Sequence, residues 1–404
     1  MTTSTAPEIY YDPYDFEIDK DPYPVWRRLR EEAPLWYNEK HDFYTLSRFA
    51  DVDAAFTDVD TYISGYGTVV EMIKARMQAP PGLLLFDDNP IHDVYRDVLS
   101  RAFRAKHIAA LEPQIRQFCA EALDPKVGTG SFDFIADLGA QMPMKTIGML
   151  LGIPAEDQQR IRDEIDSGLS LETDGEIKTP AAADGYVDRN QEMFGAYIDE
   201  RMENPSDDIM SELIQADLQM PDGSTRRLTR EELLNYVGML AAAGNETTTR
   251  LIGWTGKLLA EHPDQLAAVA ADRSLIPKAI EELLRFESPS PVQARYVTRD
   301  VEHHGQTVKA GSSVILLNGS ANRDDAHFDD PDSFNIHRKI DRHLAFGYGL
   351  HFCLGGNLAR LEGRIALDEV LKRFPNGWEV DYDASKQAHT STVRGWDKLV
   401  VRTH

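Results

Sequence analysis

Cysteine is nearly absent: the 404-residue chain has two, Cys119 and Cys353. That excludes a disulfide framework and suits a reducing compartment. No apolar run approaches the roughly 20 residues that a membrane-spanning helix needs. The N-terminal MTTSTAPEIYYDPYDFEIDKD is polar and acidic, without the charged-then-apolar pattern of a secretory signal. Positive charge is also scarce, since 43 Lys and Arg stand against 67 Asp and Glu, a formal charge of −24. So acidic a surface argues against nucleic acid and anionic membranes as partners. Repeats, low-complexity tracts and Pro/Ser-rich linkers are missing too, so one continuous domain over 1–404 is expected, with 1–20 as an N-terminal arm. The expectation is a soluble, cytoplasmic, monomeric protein.

What is present is mostly helical periodicity. It predicts helices over 22–32, 49–56, 91–104, 107–123, 134–152, 155–170, 182–203, 207–217, 229–262, 263–271, 275–287 and 356–373. The longest opens on a capping box, Thr229 with Glu232, and is apolar nearly all round in its middle, which marks a buried central helix. Strand-like alternation is confined to 34–37, 42–46, 294–298 and 306–317. The fold class is therefore mostly α with small, segregated β-sheets, and a β-rich lobe is expected near the N-terminal part of the chain. The Gly- and Pro-punctuated stretch 62–86 is a candidate binding loop.

Three short stretches carry candidate chemistry. In FGYGLHFCLGGNLAR (346–360), Cys353 lies among glycines and directly before a helical run. A helix N-terminus favours a thiolate, and glycines allow close backbone approach. The segment reads either as an exposed sulfur held beside something large or as a small buried hydrophobe in a loop. In AAAGNETTTR (241–250), Ala243 and Gly244 remove side-chain bulk, while Glu246 and Thr247 are polar in an apolar helix. The Thr247 hydroxyl can bond the Ala243 carbonyl and loosen the helix there. In EELLRF (281–286), Glu282 and Arg285 share a helix face and can pair. Cys119 reads as helix core, and His303-His304 as a solvated turn. Asp87-Asp88, Asp93 and Asp207-Asp208 lack the second triplet that a magnesium site would need.

The first stretch resembles the haem-binding loop of the cytochrome P450 family, Phe-x-x-Gly-x-x-x-Cys-x-Gly, with Phe346, Gly349, Cys353 and Gly355 in place and Gly347 between them. Likeness to bacterial members extends over nearly the whole chain. The resemblance implies one large domain with helix-rich and β-rich lobes around a buried haem b (iron protoporphyrin IX), with Cys353 as the thiolate ligand of iron. A thiolate pushes electron density through iron. By the same resemblance, Ala243 and Gly244 let the haem lie against the helix, Thr247 hydrogen-bonds dioxygen at iron, and Glu246 helps relay protons. His92, Arg96, Arg295 and His351 match positions that anchor haem propionates. Glu282, Arg285 and Arg338 match a buried structural cluster. Two departures are the Asn89-Pro90 text where relatives have two prolines, and Ser333 where many carry arginine.

The implied activity is a haem-thiolate monooxygenase that hydroxylates a C–H bond with O2. Electrons would come from ferredoxin and ferredoxin reductase, or from a flavodoxin. A peroxygenase or isomerase, or a non-enzymatic haem-based ligand sensor, are the alternatives, and the Glu246-Thr247 pair argues against the first two. Family position makes 63–85, 164–185, 239–243 and 291–294 substrate-facing, including Val69, Val70, Leu84, Leu85, Leu240, Val292 and Gln293. Their apolar character suits a small, mainly apolar substrate. Arg101, Arg104, Lys106, Arg338, Lys339, Arg342 and Arg360 form a candidate basic patch for the redox partner.

Overall fold

The computed structural model describes residues 8–76, 79–169, 186–390 and 392–404. Its frame is the helix α3 (Arg230–Glu261), with α1 (Ile91–Ala102), α2 (Met142–Leu151), α4 (Ile276–Phe286) and α5 (Gly356–Arg373). The capping box forms at the start of α3: Glu232 N–H donates to Thr229 Oγ1 at 3.2 Å, and Thr229 N–H donates to Glu232 Oε2 at 2.7 Å. Two orphan helix donors are satisfied reciprocally. Leu233, Val237, Leu251, Leu258 and Leu259 are buried in one continuous core with residues of α1, α2, α4 and α5. No described helix is long and apolar enough to cross a membrane.

Two predicted helices are broken in two. The 134–152 pattern becomes a π-helix, Phe134–Gly139, followed by α2, and 107–123 becomes Ala105–Ala109 followed by Glu112–Leu123. In both, the second helix carries proline in its first turn, Pro143 and Pro113. Proline is tolerated there and not in a helix interior, so each marks a start that periodicity alone overlooks. The candidate loop 62–86 likewise contains a helix, Val70–Ala75. The first residues of the 182–203 pattern lie outside the described residues.

The β-rich lobe draws on two parts of the chain, which corrects its expected N-terminal origin. Its five strands are β1 (Leu35–Asn38), β2 (Phe43–Leu46), β3 (Tyr62–Ile63), β4 (Gln293–Val297) and β5 (Ser313–Leu316), in the order β1-β2-β5-β4-β3. The two parts join at the parallel pair β5–β2, with Val314 opposite Tyr44, and at the antiparallel pair β3–β4, with Tyr62 opposite Val297. The N-terminal arm is anchored on this lobe, because Tyr11 packs into its core with Trp26 and Leu29.

Candidate active site

Cys353 sits in a loop whose turns are set by glycine. Gly349 has φ +68°, and a Cβ there would come 2.6 Å from the Phe56 carbonyl oxygen, so no other residue fits without backbone movement. The Cys353 N–H donates to Phe346 O at 3.0 Å, which folds the loop back on itself immediately before α5 begins at Gly356. The Cys353 side chain is exposed, whereas Cys119 is buried. Burial by the surrounding protein nevertheless pushes the Cys353 thiol up, against the pull of the Gly355 and Gly356 N–H groups and of Arg96 and Arg360. The helix terminus acts in the expected direction without prevailing. A metal ion bound by Cys353 would complete its ionisation, since metal coordination deprotonates a thiol outright.

Around this cysteine gather the four candidate anchors. The His92 and His351 rings meet edge to face with centroids 4.6 Å apart, and Arg295 and Arg96 both bear on His351. Arg96 also bears on Cys353. Burial first, then Arg295, His92 and Arg96, hold His351 down to about 2, and burial lowers His92 as well. Neither ring is favoured as a cation by these surroundings, so the positive charge at the site comes chiefly from the arginines. Among the described residues, His92 Nε2 and His351 Nε2 are buried without a hydrogen-bond partner, and the one bond of the buried Arg295 guanidinium is to Ala294 O, at 2.8 Å. Asp88, the nearby carboxylate, accepts the N–H groups of Ser64 and Gly65 at 2.9 Å each. Buried donors without acceptors call for an anion. The donor set therefore fits the two carboxylates of a haem whose iron would be held by Cys353.

Between Glu232 and Gly256, α3 is buried everywhere except at Ala242, Ala243, Gly244 and Thr247, with Ala243 the most open. Ala243 and Thr247 are one turn apart, so the opening is a short stripe on one face. Thr247 Oγ1 donates to Ala243 O at 3.2 Å. A Cβ on Gly244 would point at Ile147 of α2, 3.5 Å away, an ordinary contact, so Gly244 does not widen that stripe. Glu246 faces elsewhere. Its Oε1 accepts from Arg250 Nε at 2.8 Å, and Arg250 is held in turn by Trp396 O and by Asp397, at 3.3 Å.

Glu282 and Arg285 are both completely buried and bonded twice, at 2.7 Å each. Arg338 Nε joins them at 3.2 Å, and the Asn335 N–H donates to Glu282 at 2.8 Å. The remaining N–H groups of Arg285 reach the carbonyls of Asn322, Pro331 and Ser333. Ser333 thus contributes its backbone where relatives carry a long side chain.

The seven pocket candidates fall in different packing environments. Val70 is in the β-lobe core with Leu29 and Phe43, Leu84 and Leu240 are in the main core, and Leu85 is 45% exposed. Val69 precedes the helix Val70–Ala75, Val292 lines a cleft with Trp26 and Val393, and Gln293 donates to Ser290 Oγ at 2.9 Å. Of the stretch 164–185, residues 170–185 lie outside the described residues. Three residues escaped the sequence reading. Arg250 was legible as the i+4 partner of Glu246, and Glu281 as the acidic neighbour of Glu282. Glu362, a carboxyl pushed up to about 8 by burial beside Thr146 and Thr248, had no signal beyond its place among apolar residues of α5.

A family model described as Cytochrome P450 matches residues 183–392. The chain is 39% identical over 397 residues to a putative cytochrome P450 123 of Mycobacterium tuberculosis, covering 98% of this chain and 97% of that one. It is 36% identical over 363 residues to the cyclomarin C epoxidase CymV of Salinispora arenicola, covering 88% and 90%. Its fold superposes on CYP109E1 from Bacillus megaterium, solved in complex with testosterone, with a TM-score of 0.86, 31% identity, and coverage of 96% and 99%.

Proposed function

Because the chain belongs to the cytochrome P450 family, and so to the oxidoreductases that act as monooxygenases, we propose that it hydroxylates a C–H bond of a small, mainly apolar molecule with one atom of O2. Electrons would be delivered by a ferredoxin with its reductase, or by a flavodoxin. The haem, when bound, supplies the oxygen activation that no side chain can perform. In this reading Cys353 holds the iron, while Arg96, Arg295, His92 and His351 hold the haem carboxylates. The observation that carries it is the pair of buried, unpartnered His92 and His351 Nε2 atoms, with Arg295 and Arg96 beside them, next to an exposed Cys353.

The remaining residues bind, orient and move protons. Ala243 leaves a gap in the central helix for a flat group, and the Thr247 hydroxyl, tethered to Ala243 O, holds a proton at the edge of that gap. Glu246 is the nearest carboxylate in sequence that could resupply it, by turning away from Arg250. The Glu282, Arg285 and Arg338 cluster keeps the chain ahead of the cysteine loop in place and takes no part in the chemistry. A neighbour solved with testosterone supports a small substrate of mainly apolar character. The test is the reduced-CO spectrum of wild type and Cys353→Ser, followed by turnover with a ferredoxin system on compounds that shift the haem spin state. A red-shifted thiolate-type band retained in Cys353→Ser would remove Cys353 as ligand, since serine supplies no sulfur electron density.

A further inference from the structure

Glu281 and Glu282 are neighbours on α4, about 100° apart around its axis, and their carboxylates serve different parts of the chain. Glu282 holds Arg285, Arg338 and Asn335. Glu281 takes Arg360 by two bonds, Nε at 2.7 Å and Nη2 at 3.1 Å, and its Oε2 lies 3.1 Å from His343 Nε2. The Ala345 N–H donates to His343 Nδ1 at 3.2 Å, so the His343 proton is on Nε2 and is given to Glu281. His343 stands before the cysteine loop and Arg360 after it, in the second turn of α5. One carboxylate therefore holds both flanks of Cys353.

Arg360 is tied to the loop itself. Its guanidinium lies over the Phe346 ring at 4.4 Å, and its Nη1 reaches Gly356 O at 3.4 Å. Phe346 O accepts the Cys353 N–H. Arg360 and Arg96 are the two guanidinium groups whose charge bears on the Cys353 sulfur. Of these two, among the described residues, only Arg360 has a carboxylate at hydrogen-bond distance. We propose that Glu281 is a positioning residue for the Cys353 sulfur, fixing Arg360 and offsetting its charge so that this cation draws only weakly on the sulfur's electron density. The inference rests on Cys353 being the haem ligand. Without the Glu281 charge, Arg360 pulls harder, the sulfur donates less, and the iron is reduced more easily.

The experiment measures the haem midpoint potential, the reduced-CO band and the melting temperature of purified holo-protein. Glu281→Gln should load haem fully, keep the thiolate-type band and move the potential in the positive direction. Glu281→Ala should shift it further and send part of the reduced-CO band to its non-thiolate position. The double variant Glu281→Gln with Arg360→Ala should match Arg360→Ala alone, because Glu281 acts through Arg360. Equal potentials in wild type and Glu281→Gln overturn the proposal, as does a Glu281→Gln shift that persists undiminished in the double variant. A lowered melting temperature with unmoved potential and band makes the pair merely structural and also overturns it. Should Glu281→Ala fail to take up haem, the Gln series still decides. A wild type without a thiolate-type band instead refutes the ligand reading itself, and this inference with it.

Discussion

Arg250 Nε donates to Glu246 Oε1 at 2.8 Å across one turn of the central helix, and both side chains are buried. The carboxylate offered by the Glu246-Thr247 motif is thus committed to a cation while Thr247 bonds Ala243 O. If Glu246 delivers protons as proposed, this pair must open, and Arg250 would then be both a brake on the relay and its anchor.

Glu246→Gln keeps an acceptor for Arg250 and should leave haem uptake intact. Turnover should fall and its solvent isotope effect rise, because an amide cannot carry the proton. Arg250→Ala should instead lower the melting temperature, since removing one partner of a buried pair costs about 3–5 kcal/mol. Glu246→Gln with wild-type turnover and isotope effect would leave Glu246 as an anchor only.

Thr247→Ala loses one hydroxyl-to-carbonyl bond, worth about 0.5–1.5 kcal/mol, and should melt close to wild type. Haem and substrate binding should persist, while electrons drain into peroxide or water, because what is lost matters after binding. Product formed per NAD(P)H consumed is the measurement, and an unchanged ratio denies Thr247 the role.

Glu282→Ala leaves Arg285 buried without its carboxylate and also strips the Asn335 N–H and Arg338 of their acceptor. The loss should be about 3–5 kcal/mol, with little holo-protein recovered. Full haem content at the wild-type melting temperature would contradict this.

Glu362 gives the stability a pH slope. Burial raises its carboxyl from 4.5 to about 8, so between those values the folded state holds a proton that the unfolded chain releases. Its folding contribution is fully present below pH 4.5 and is lost as pH rises toward 8. The slope from one such group is at most about 1.4 kcal/mol per pH unit. Glu362→Gln should therefore match wild type in denaturant stability near pH 5 and exceed it increasingly up to pH 8. Parallel stability curves would show that Glu362 stays ionised.

Much of this was legible because it is local. Thr229 and Glu232 announce a helix start three residues apart, and Glu282 and Arg285 share a face by spacing alone. The breaks at Pro113 and Pro143 were legible too, but a first-turn proline continues the apolar period while ending the previous helix, so periodicity read through it. The β5–β2 pairing was not legible, since nothing in residues 43–46 points to 313–316. The lowered basicity of His351 was equally hidden. It arises from burial first, and then from Arg295, His92 and Arg96, which lie up to 259 positions away and meet only in the fold.

Charge pairing in the fold, local and long-range, thins the expected basic patch and sharpens its test. Arg101 is paired with Asp97, Arg342 with Asp53 and Arg360 with Glu281, and Arg338 is spent on Glu282 in the interior. Arg104, Lys106 and Lys339 are exposed and have no carboxylate partner among the described residues. An acidic redox partner meeting a protein of net charge −24 is repelled at long range, so attraction must come from such uncompensated cations at contact. Above physiological ionic strength the Debye length is below about 8 Å, and screening then weakens mainly the short-range attraction. Electron transfer from an acidic ferredoxin should accordingly slow as salt rises beyond that level. Reversing Arg104 and Lys106 to Glu should slow reduction and flatten the salt dependence, with substrate-induced spin shifts unchanged. Stopped-flow reduction that is indifferent to the reversal would move the docking face away from Arg104 and Lys106.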